Sequence, residues 1–164
     1  MLVDLQRFEI KDSVLFIEGV GIIEGVDVVS WSDIHYVLIF DDGVQTYEKR
    51  LAKDHKPEMT SNFAKHGERY DKCYFATTSY KGVDISDIPL GQYRLKLKII
   101  TPHRTEVAYL SSLKQICIDN EQFSLDTGGA GCFGKFVLKS YQSTIAISDY
   151  TAHQLSIVGG YLDD

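Results

Sequence analysis

The most constraining feature of this sequence is the stretch from Gln92 to Thr101, in which apolar and polar side chains alternate. The apolar positions are Tyr93, Leu95, Leu97 and Ile99, and the polar positions are Gln92, Arg94, Lys96 and Lys98. A period of two puts successive side chains on opposite faces of a β-strand. The pattern therefore predicts a strand with one face on an apolar core and the other in water.

A second strand is predicted at Ile34–Phe40, where both alternating sets are apolar. Such a strand is expected at the centre of a sheet and covered on both sides. Asp41-Asp42-Gly43 follows directly, and an Asp-Gly pair favours a hairpin because both residues tolerate a positive φ. The strand that returns from this turn is predicted at Val44–Leu51.

The rest of the chain continues the same pattern. Further strands are predicted at Leu5–Lys11, Val14–Ile23, Cys73–Ser79, Thr105–Leu110, Gln115–Ile118, Gln122–Leu125, Phe136–Tyr141, Thr144–Ile147 and Gln154–Val158. Gly19 and Gly21 indicate a bulge or bend in the second of these. A single short helix is predicted at Pro57–His66, opened by Pro57 and closed by Gly67.

Many short strands with almost no helix predict an all-β fold, an antiparallel immunoglobulin-like β-sandwich with extra C-terminal strands. We expect residues 1–119 to form the sandwich and residues 120–164 to add strands to the same domain. The turn Ile88-Pro89-Leu90-Gly91 before Tyr93 sharpens this prediction, because immunoglobulin-like sandwiches often bend a tyrosine hydroxyl back to an upstream backbone group here. The alternative is that Tyr93 is an ordinary core aromatic.

Charge and apolar run length exclude several classes of protein. The 164-residue chain has a net charge of −6, which argues against a nucleic-acid partner, because phosphate contacts require a basic surface. No apolar run approaches the ~18 residues of a membrane helix, and Asp4, Arg7 and Glu9 interrupt any N-terminal secretory signal. Three widely spaced cysteines, Cys73, Cys117 and Cys132, predict reduced thiols. We therefore expect a cytoplasmic protein without membrane insertion.

No motif in the sequence satisfies the requirements of a catalytic, cofactor or metal site. The run Gly129-Ala-Gly-Cys-Phe-Gly134-Lys135 has phosphate-loop spacing, but Phe136 stands where a Ser or Thr must hold Mg²⁺. The residues that follow alternate like a strand, whereas a phosphate loop must open a helix. The histidines and cysteines lack metal-ligand spacing. We expect no catalytic residue, no cofactor and no metal.

Aromatic side chains remain as candidates for ligand binding. Trp31 lies among small polar neighbours, and Tyr80 and Tyr150 have comparable settings. An exposed aromatic ring can stack on the apolar face of a sugar, so these three residues are candidate glycan-stacking positions. The alternative for Trp31 is a half-buried ring at the rim of the sandwich.

One stretch resembles a known kind of domain. The residues that carry the resemblance are Phe63, Tyr70-Asp71-Lys72, Phe75-Ala76-Thr77 and the continuous run Gly82–Leu95, with Leu15–Gly19 and Ser32–Ile34 upstream. They resemble accessory β-sandwich domains of bacterial glycosyltransferases and glycerophosphotransferases that build teichoic acid or capsule. The resemblance implies a non-catalytic accessory or interaction module in surface-polysaccharide biosynthesis. Its expected partner is a glycosyltransferase or a second copy of itself; the alternative is a carbohydrate-binding module that uses Trp31.

Overall fold

The computed structural model describes residues 1–78, 81–129 and 132–141, which form strands, one short helix and one 3-10 turn. The strands are β1 Leu2–Lys11, β2 Val14–Ile22, β3 His35–Asp41, β4 Thr46–Asp54, β5 Tyr74–Ala76, β6 Val83–Asp84, β7 Gly91–Ile100, β8 Thr105–Tyr109, β9 Cys117–Asp119, β10 Phe123–Asp126 and β11 Lys135–Leu138. The helix α1 is Glu58–Phe63, and the 3-10 turn is Trp31–Asp33. The prediction of an all-β, antiparallel fold with further C-terminal strands and one short helix is confirmed.

The differences from the predicted elements have simple local causes. Helix α1 ends at Phe63, because Ala64 is already extended. Strand β6 has only two residues, too few to show a period in the sequence. The strands predicted at Thr144–Ile147 and Gln154–Val158 lie outside the described residues.

The strands form one curled sheet in the order β1-β2-β5-β4-β3-β7-β11-β10-β9, with β6 paired to β2 and β8 paired to β7. Strand β4 belongs to both halves of the sheet. Its first part, Thr46–Leu51, pairs with β3, and its last part, Ala52–Asp54, pairs with β5. The β10–β11 hairpin enters the sheet through β11, which pairs with β7.

The apolar core lies between the two halves of the curled sheet. Phe8 on β1 packs against Phe123 on β10 and Phe136 on β11, each with its ring centroid 5.5 Å away. The backbone N–H of Leu5 donates to the carbonyl of Ser111, 2.8 Å away, which fastens β1 to the segment after β8. The sheet therefore curls until its first strand meets its last ones.

The bulge predicted in β2 occurs in its partner instead. The β1–β2 register shifts between Leu5 and Arg7, opposite Gly19. The bulged strand is therefore β1, and the glycines of β2 allow close packing. A Cβ on Gly21 would lie 2.7 Å from Cε1 of Tyr36, whose buried hydroxyl donates to the Gly21 carbonyl at 2.6 Å.

Two different strands pair with successive parts of one edge of β7, and we call this arrangement the fork of β7. Strand β11 pairs with Gly91–Arg94, and β8 pairs with Lys96–Ile100 on the same edge. Between them, the Leu95 N–H donates to the Gly134 carbonyl at 2.7 Å, and the Leu95 carbonyl accepts from Leu110 N–H at 2.9 Å. Gly134 has φ +60° and leaves no room for a Cβ beside the Leu95 carbonyl. Only glycine fits there without strain.

Candidate binding surface

Tyr93 has the hydrogen bond that the sequence pattern requires of a tyrosine corner. Its hydroxyl donates to the carbonyl of Pro89, four residues upstream, at 2.5 Å. Its ring, 4% exposed, lies edge-on to Phe40 and Tyr47 at centroid distances of 6.0 and 6.1 Å. Burial is the main cause that raises the pKa of this phenol. Tyr93 therefore holds the turn before β7 and faces the core.

Trp31 begins the 3-10 turn and is 43% exposed. The ammonium of Lys72 lies 5.4 Å from the centroid of its ring, and the His55 ring meets it edge-on at 6.4 Å. The Lys53 ammonium donates to the backbone carbonyls of Trp31 and Ile34, which fixes the turn against β4. The indole is accessible, but a cation already occupies a place over its ring. Tyr80 and Tyr150, the other two stacking candidates, lie outside the described residues.

The glycine-rich run, the possible metal ligands and the cysteines are the other chemical features of the sequence. Lys135, the last residue of the glycine-rich run, begins strand β11, so no helix follows it. No group of three His, Cys, Asp or Glu side chains among these residues is placed to hold a metal ion. All three cysteines are free, and burial raises the pKa of the Cys73 thiol to about 12. That thiol stays protonated at neutral pH, and a thiol is a far weaker nucleophile than a thiolate.

A cationic surface lies on the outer side of strands β4, β3, β7 and β8 and the start of β11; we call it the outer face. Cross-strand pairing arranges its side chains in rows. From one end, the rows are Thr46, Asp41, Arg94 and Lys135; Glu48, Ile39, Lys96 and Tyr109; Arg50, Val37, Lys98 and Val107; and His35, Ile100 and Thr105. Side chains opposite each other on one face lie about 5 Å apart. The outer face is therefore a contiguous surface assembled from five strands.

This face has the opposite sign of charge from the whole chain. In the rows of this face the five cations are Arg50, Arg94, Lys96, Lys98 and Lys135, and the two carboxylates are Asp41 and Glu48, which gives a local charge of +3 in a chain of −6. Two further carboxylates border the face, Asp126 as the other cross-strand neighbour of Lys135 and Asp42 in the turn after β3. Lys96 pairs with Asp41 at 3.0 Å, and Lys98 pairs with Glu48 at 3.7 Å. Within residues 1–78, 81–129 and 132–141, the other three cations form no direct ion pair, although the Gly128 N–H and, to a smaller extent, the charge of Lys135 lower the pKa of Asp126, the cross-strand neighbour of Lys135. Burial, followed by the charges of Lys53 and Arg50, lowers the pKa of His35 at one end of the face.

No described helix or strand packs over the outer face, and Val107 and Tyr109 are each 51% exposed. The sequence predicts that β3 is covered on both sides. It is central in the sheet, and among the described residues no helix or strand covers its outer side. Ile39 is nevertheless just 8% exposed, with Glu48 and Lys96 as its cross-strand neighbours. The outer face therefore combines charged side chains with the exposed Val107 and Tyr109.

A cleft of about 310 Å³ opens in the outer face beside the fork of β7. Its polar and aromatic lining includes Asp41, Asp42, Gln92, Arg94, Lys96, Tyr109 and Lys135. The guanidinium of Arg94 donates to the Phe133 carbonyl at 3.3 Å, and the Lys96 ammonium lies 5.8 Å from the centroid of the Tyr109 ring. Cationic donors and one accessible aromatic ring thus meet in a single concavity.

Only some of the residues of this site could be predicted from the sequence. The alternation in Gln92–Thr101 places Arg94, Lys96 and Lys98 on the water side of a strand. It does not reveal that Lys135, some forty positions away, pairs with Arg94, or that Tyr109 pairs with Lys96. The strand register supplies that information.

In the part of the chain that the structure describes, no helix has the length and apolar character needed to cross a membrane. Comparison with known proteins finds no matching family model, no matching curated protein and no matching solved structure.

Proposed function

We propose that this chain is a non-catalytic accessory module that binds a partner through its cationic outer face. The observation that carries the proposal is the charge of that face, +3 in a chain whose net charge is −6. The remaining residues together carry a net charge of −9, so this face and the rest of the chain differ in the sign of their net charge. Complementary potentials accelerate association and select partners.

The proposed setting is the synthesis of bacterial surface polysaccharide, and it is supported by the resemblance of Gly82–Leu95 to accessory domains of such enzymes. In this setting, the partner is the glycosyltransferase, and the outer face fits an acidic surface on it. A symmetric dimer through this face is disfavoured, because a two-fold axis places the same patch against itself. Arg50, Arg94 and Lys135 of the two copies would then repel one another. The charge pattern therefore disfavours a symmetric dimer through this face.

The test measures, by calorimetry, the binding of the full chain to the transferase encoded in the same or the neighbouring gene. The double variant Arg50→Glu, Lys98→Glu should weaken binding at least tenfold. The matched control is Lys11→Glu, Lys114→Glu, which changes the net charge equally at two exposed positions outside the outer face. Binding by the native chain should also weaken as salt is added. Equal losses in the two double variants, or no loss in either, would refute the assignment of this face.

A second candidate function is glycan stacking on Trp31, which its 43% exposure favours. Trp31 is the sole tryptophan, so its fluorescence reports directly on a sugar placed against it. Titration with neutral oligosaccharides should shift the emission saturably if the ring is a platform, and Trp31→Ala should abolish binding measured by calorimetry. Saturable binding that survives Trp31→Ala would remove this residue from the site.

A further inference from the structure

We propose that the cleft beside the fork of β7 binds a sugar that carries an acidic group. Arg94 and Lys135 would hold the acidic group, and Tyr109 would pack against the sugar ring. This inference rests on the proposed role of the outer face as a binding surface, and it names a ligand class for one end of it.

The fork explains why a concavity exists in an otherwise continuous sheet surface. Strand β11 leaves the edge of β7 at Arg94, and β8 joins it at Lys96. The two strands diverge on either side of Leu95, so the surface has a gap between the first residue of β11 and the last residue of β8. The volume of about 310 Å³ falls at the lower end of the range of small-molecule sites, roughly 300–1,000 Å³.

The lining of the cleft carries three cations and two carboxylates, and Lys96 is paired with Asp41, which leaves Arg94 and Lys135 without a direct ion pair. Both oxygens of Asp41 are engaged, one accepting from the Gly43 N–H at 2.8 Å and the other from Lys96 at 3.0 Å. Asp42, at the rim, accepts the turn N–H groups of Val44 and Gln45 through one oxygen.

Arg94 and Lys135 are direct cross-strand partners, and both are exposed. Among the described residues, neither forms an ion pair with a carboxylate. A guanidinium beside an ammonium provides several donors to one oxyanion, and the planar fork of arginine matches a carboxylate or a phosphate.

Tyr109 distinguishes this cleft from a simple anion site. Its side chain is 51% exposed at the end of β8. The ammonium of Lys96 lies over its ring, 5.8 Å from the centroid, so a stacked sugar would use the part of the ring that this ammonium leaves free. A half-exposed aromatic ring offers apolar area together with a polar hydroxyl, which matches the C–H-rich face and the hydroxyl rim of a pyranose. The Gln92 amide, also in the lining, adds both a donor and an acceptor. Cations and an aromatic wall together favour an acidic sugar over a neutral sugar or a small ion.

In the experiment, each compound is added to the isotope-labelled full chain at constant ionic strength, and its binding is measured from the changes in the amide NMR shifts. The probes are glucuronate, glucose 6-phosphate, glucose and acetate. Saturable shifts at Gln92, Arg94, Tyr109 and Lys135 are expected with at least one acidic sugar. If glucuronate binds more tightly than glucose 6-phosphate, the preferred acidic group is a carboxylate; if glucose 6-phosphate binds more tightly, it is a phosphate. Glucose and acetate should each bind at least tenfold more weakly. Glucose or acetate binding as well as the acidic sugars would overturn the proposal, and so would the absence of binding by both acidic sugars.

Substitutions assign the interaction to its residues. Arg94→Gln and Tyr109→Leu should each weaken binding of the acidic sugar at least tenfold, whereas Lys98→Gln, on the same face outside the cleft, should change it less than twofold. Unchanged thermal midpoints would show that the variants remain folded, and Arg94→Lys provides a variant that keeps the charge and loses the planar fork. Equal loss in Lys98→Gln would overturn the proposal.

The two proposals fail separately. Absence of acidic-sugar binding, together with loss of transferase binding in Arg50→Glu, Lys98→Glu, would overturn the cleft and leave the accessory role. If the sugar binds in the cleft but the double variant leaves transferase binding unchanged, the accessory role of the outer face is overturned and the cleft proposal remains.

Discussion

The two faces of strand β7 differ in almost every physical respect, although their residues alternate along one chain. On the inner face, Leu95, Leu97 and Ile99 are fully buried among residues of both halves of the sheet. On the outer face, Arg94, Lys96 and Lys98 contact cross-strand neighbours and water. Inner positions are constrained by packing, where a change of one methylene is felt. Outer positions are constrained much less by folding, so their charge is available for binding.

The largest expected contrast comes from neighbouring residues of β7. Leu97→Ala should lower the free energy of unfolding by about 3–5 kcal/mol, because it removes buried area and leaves a cavity. Lys98→Ala should change it by less than about 0.5 kcal/mol, since its ion pair with Glu48 lies at the surface. Urea denaturation of the three proteins measures both values. A loss in Lys98→Ala comparable to that in Leu97→Ala would show that the outer face is structural.

A smaller contrast separates two adjacent tyrosines. Tyr93→Phe should cost about 1 kcal/mol, because it removes the hydrogen bond to the Pro89 carbonyl without emptying the core. Tyr47 packs against Tyr93, but its hydroxyl donates to the exposed side chain of Gln45. Tyr47→Phe should therefore have almost no effect in the same denaturation experiment. If Tyr93→Phe were equally neutral, the corner hydrogen bond would contribute nothing to stability.

The smallest expected effect is a pH dependence at the edge of the cleft. The N–H of Gly43, and then Lys96, lower the pKa of the Asp41 carboxyl from its ordinary value of 3.8. A depressed folded-state pKa stabilises the fold above the ordinary pKa, and this contribution is lost as pH falls through the folded-state pKa. The thermal midpoint of the native chain should therefore exceed that of Asp41→Asn at neutral pH, and the gap should close as the pH falls through and below the ordinary carboxyl pKa of 3.8. A gap that is constant with pH would indicate that the charge of Asp41 is irrelevant.

The elements of the fold were largely predictable from the sequence, whereas the binding surface was not. Alternation in β7 and the Asp-Gly signal after β3 are local, and a strand and a hairpin form there. The turn is longer than predicted, because only Gly43 within it takes a positive φ and the returning strand begins at Thr46 instead of Val44. The glycines of β2 are ambiguous in sequence, because a strand has glycine both where it bulges and where it packs closely against a side chain such as Tyr36. The cleft depends on the pairing of Arg94 with Lys135 and of Lys96 with Tyr109. Such long-range register is determined by the whole sheet, and no local pattern encodes it.

The sharing of β4 between the two halves of the sheet has a mechanical consequence. Two separate stacked sheets touch only through side chains, so they can slide or tilt against each other at the cost of repacking. Here, Thr46–Leu51 is hydrogen-bonded into one half and Ala52–Asp54 into the other, so any such displacement must bend a continuous backbone or break its ladder. The half of the sheet that carries the outer face is therefore joined to the other half by the continuous backbone of β4. We expect this connection to resist displacement of the charged rows when a partner binds.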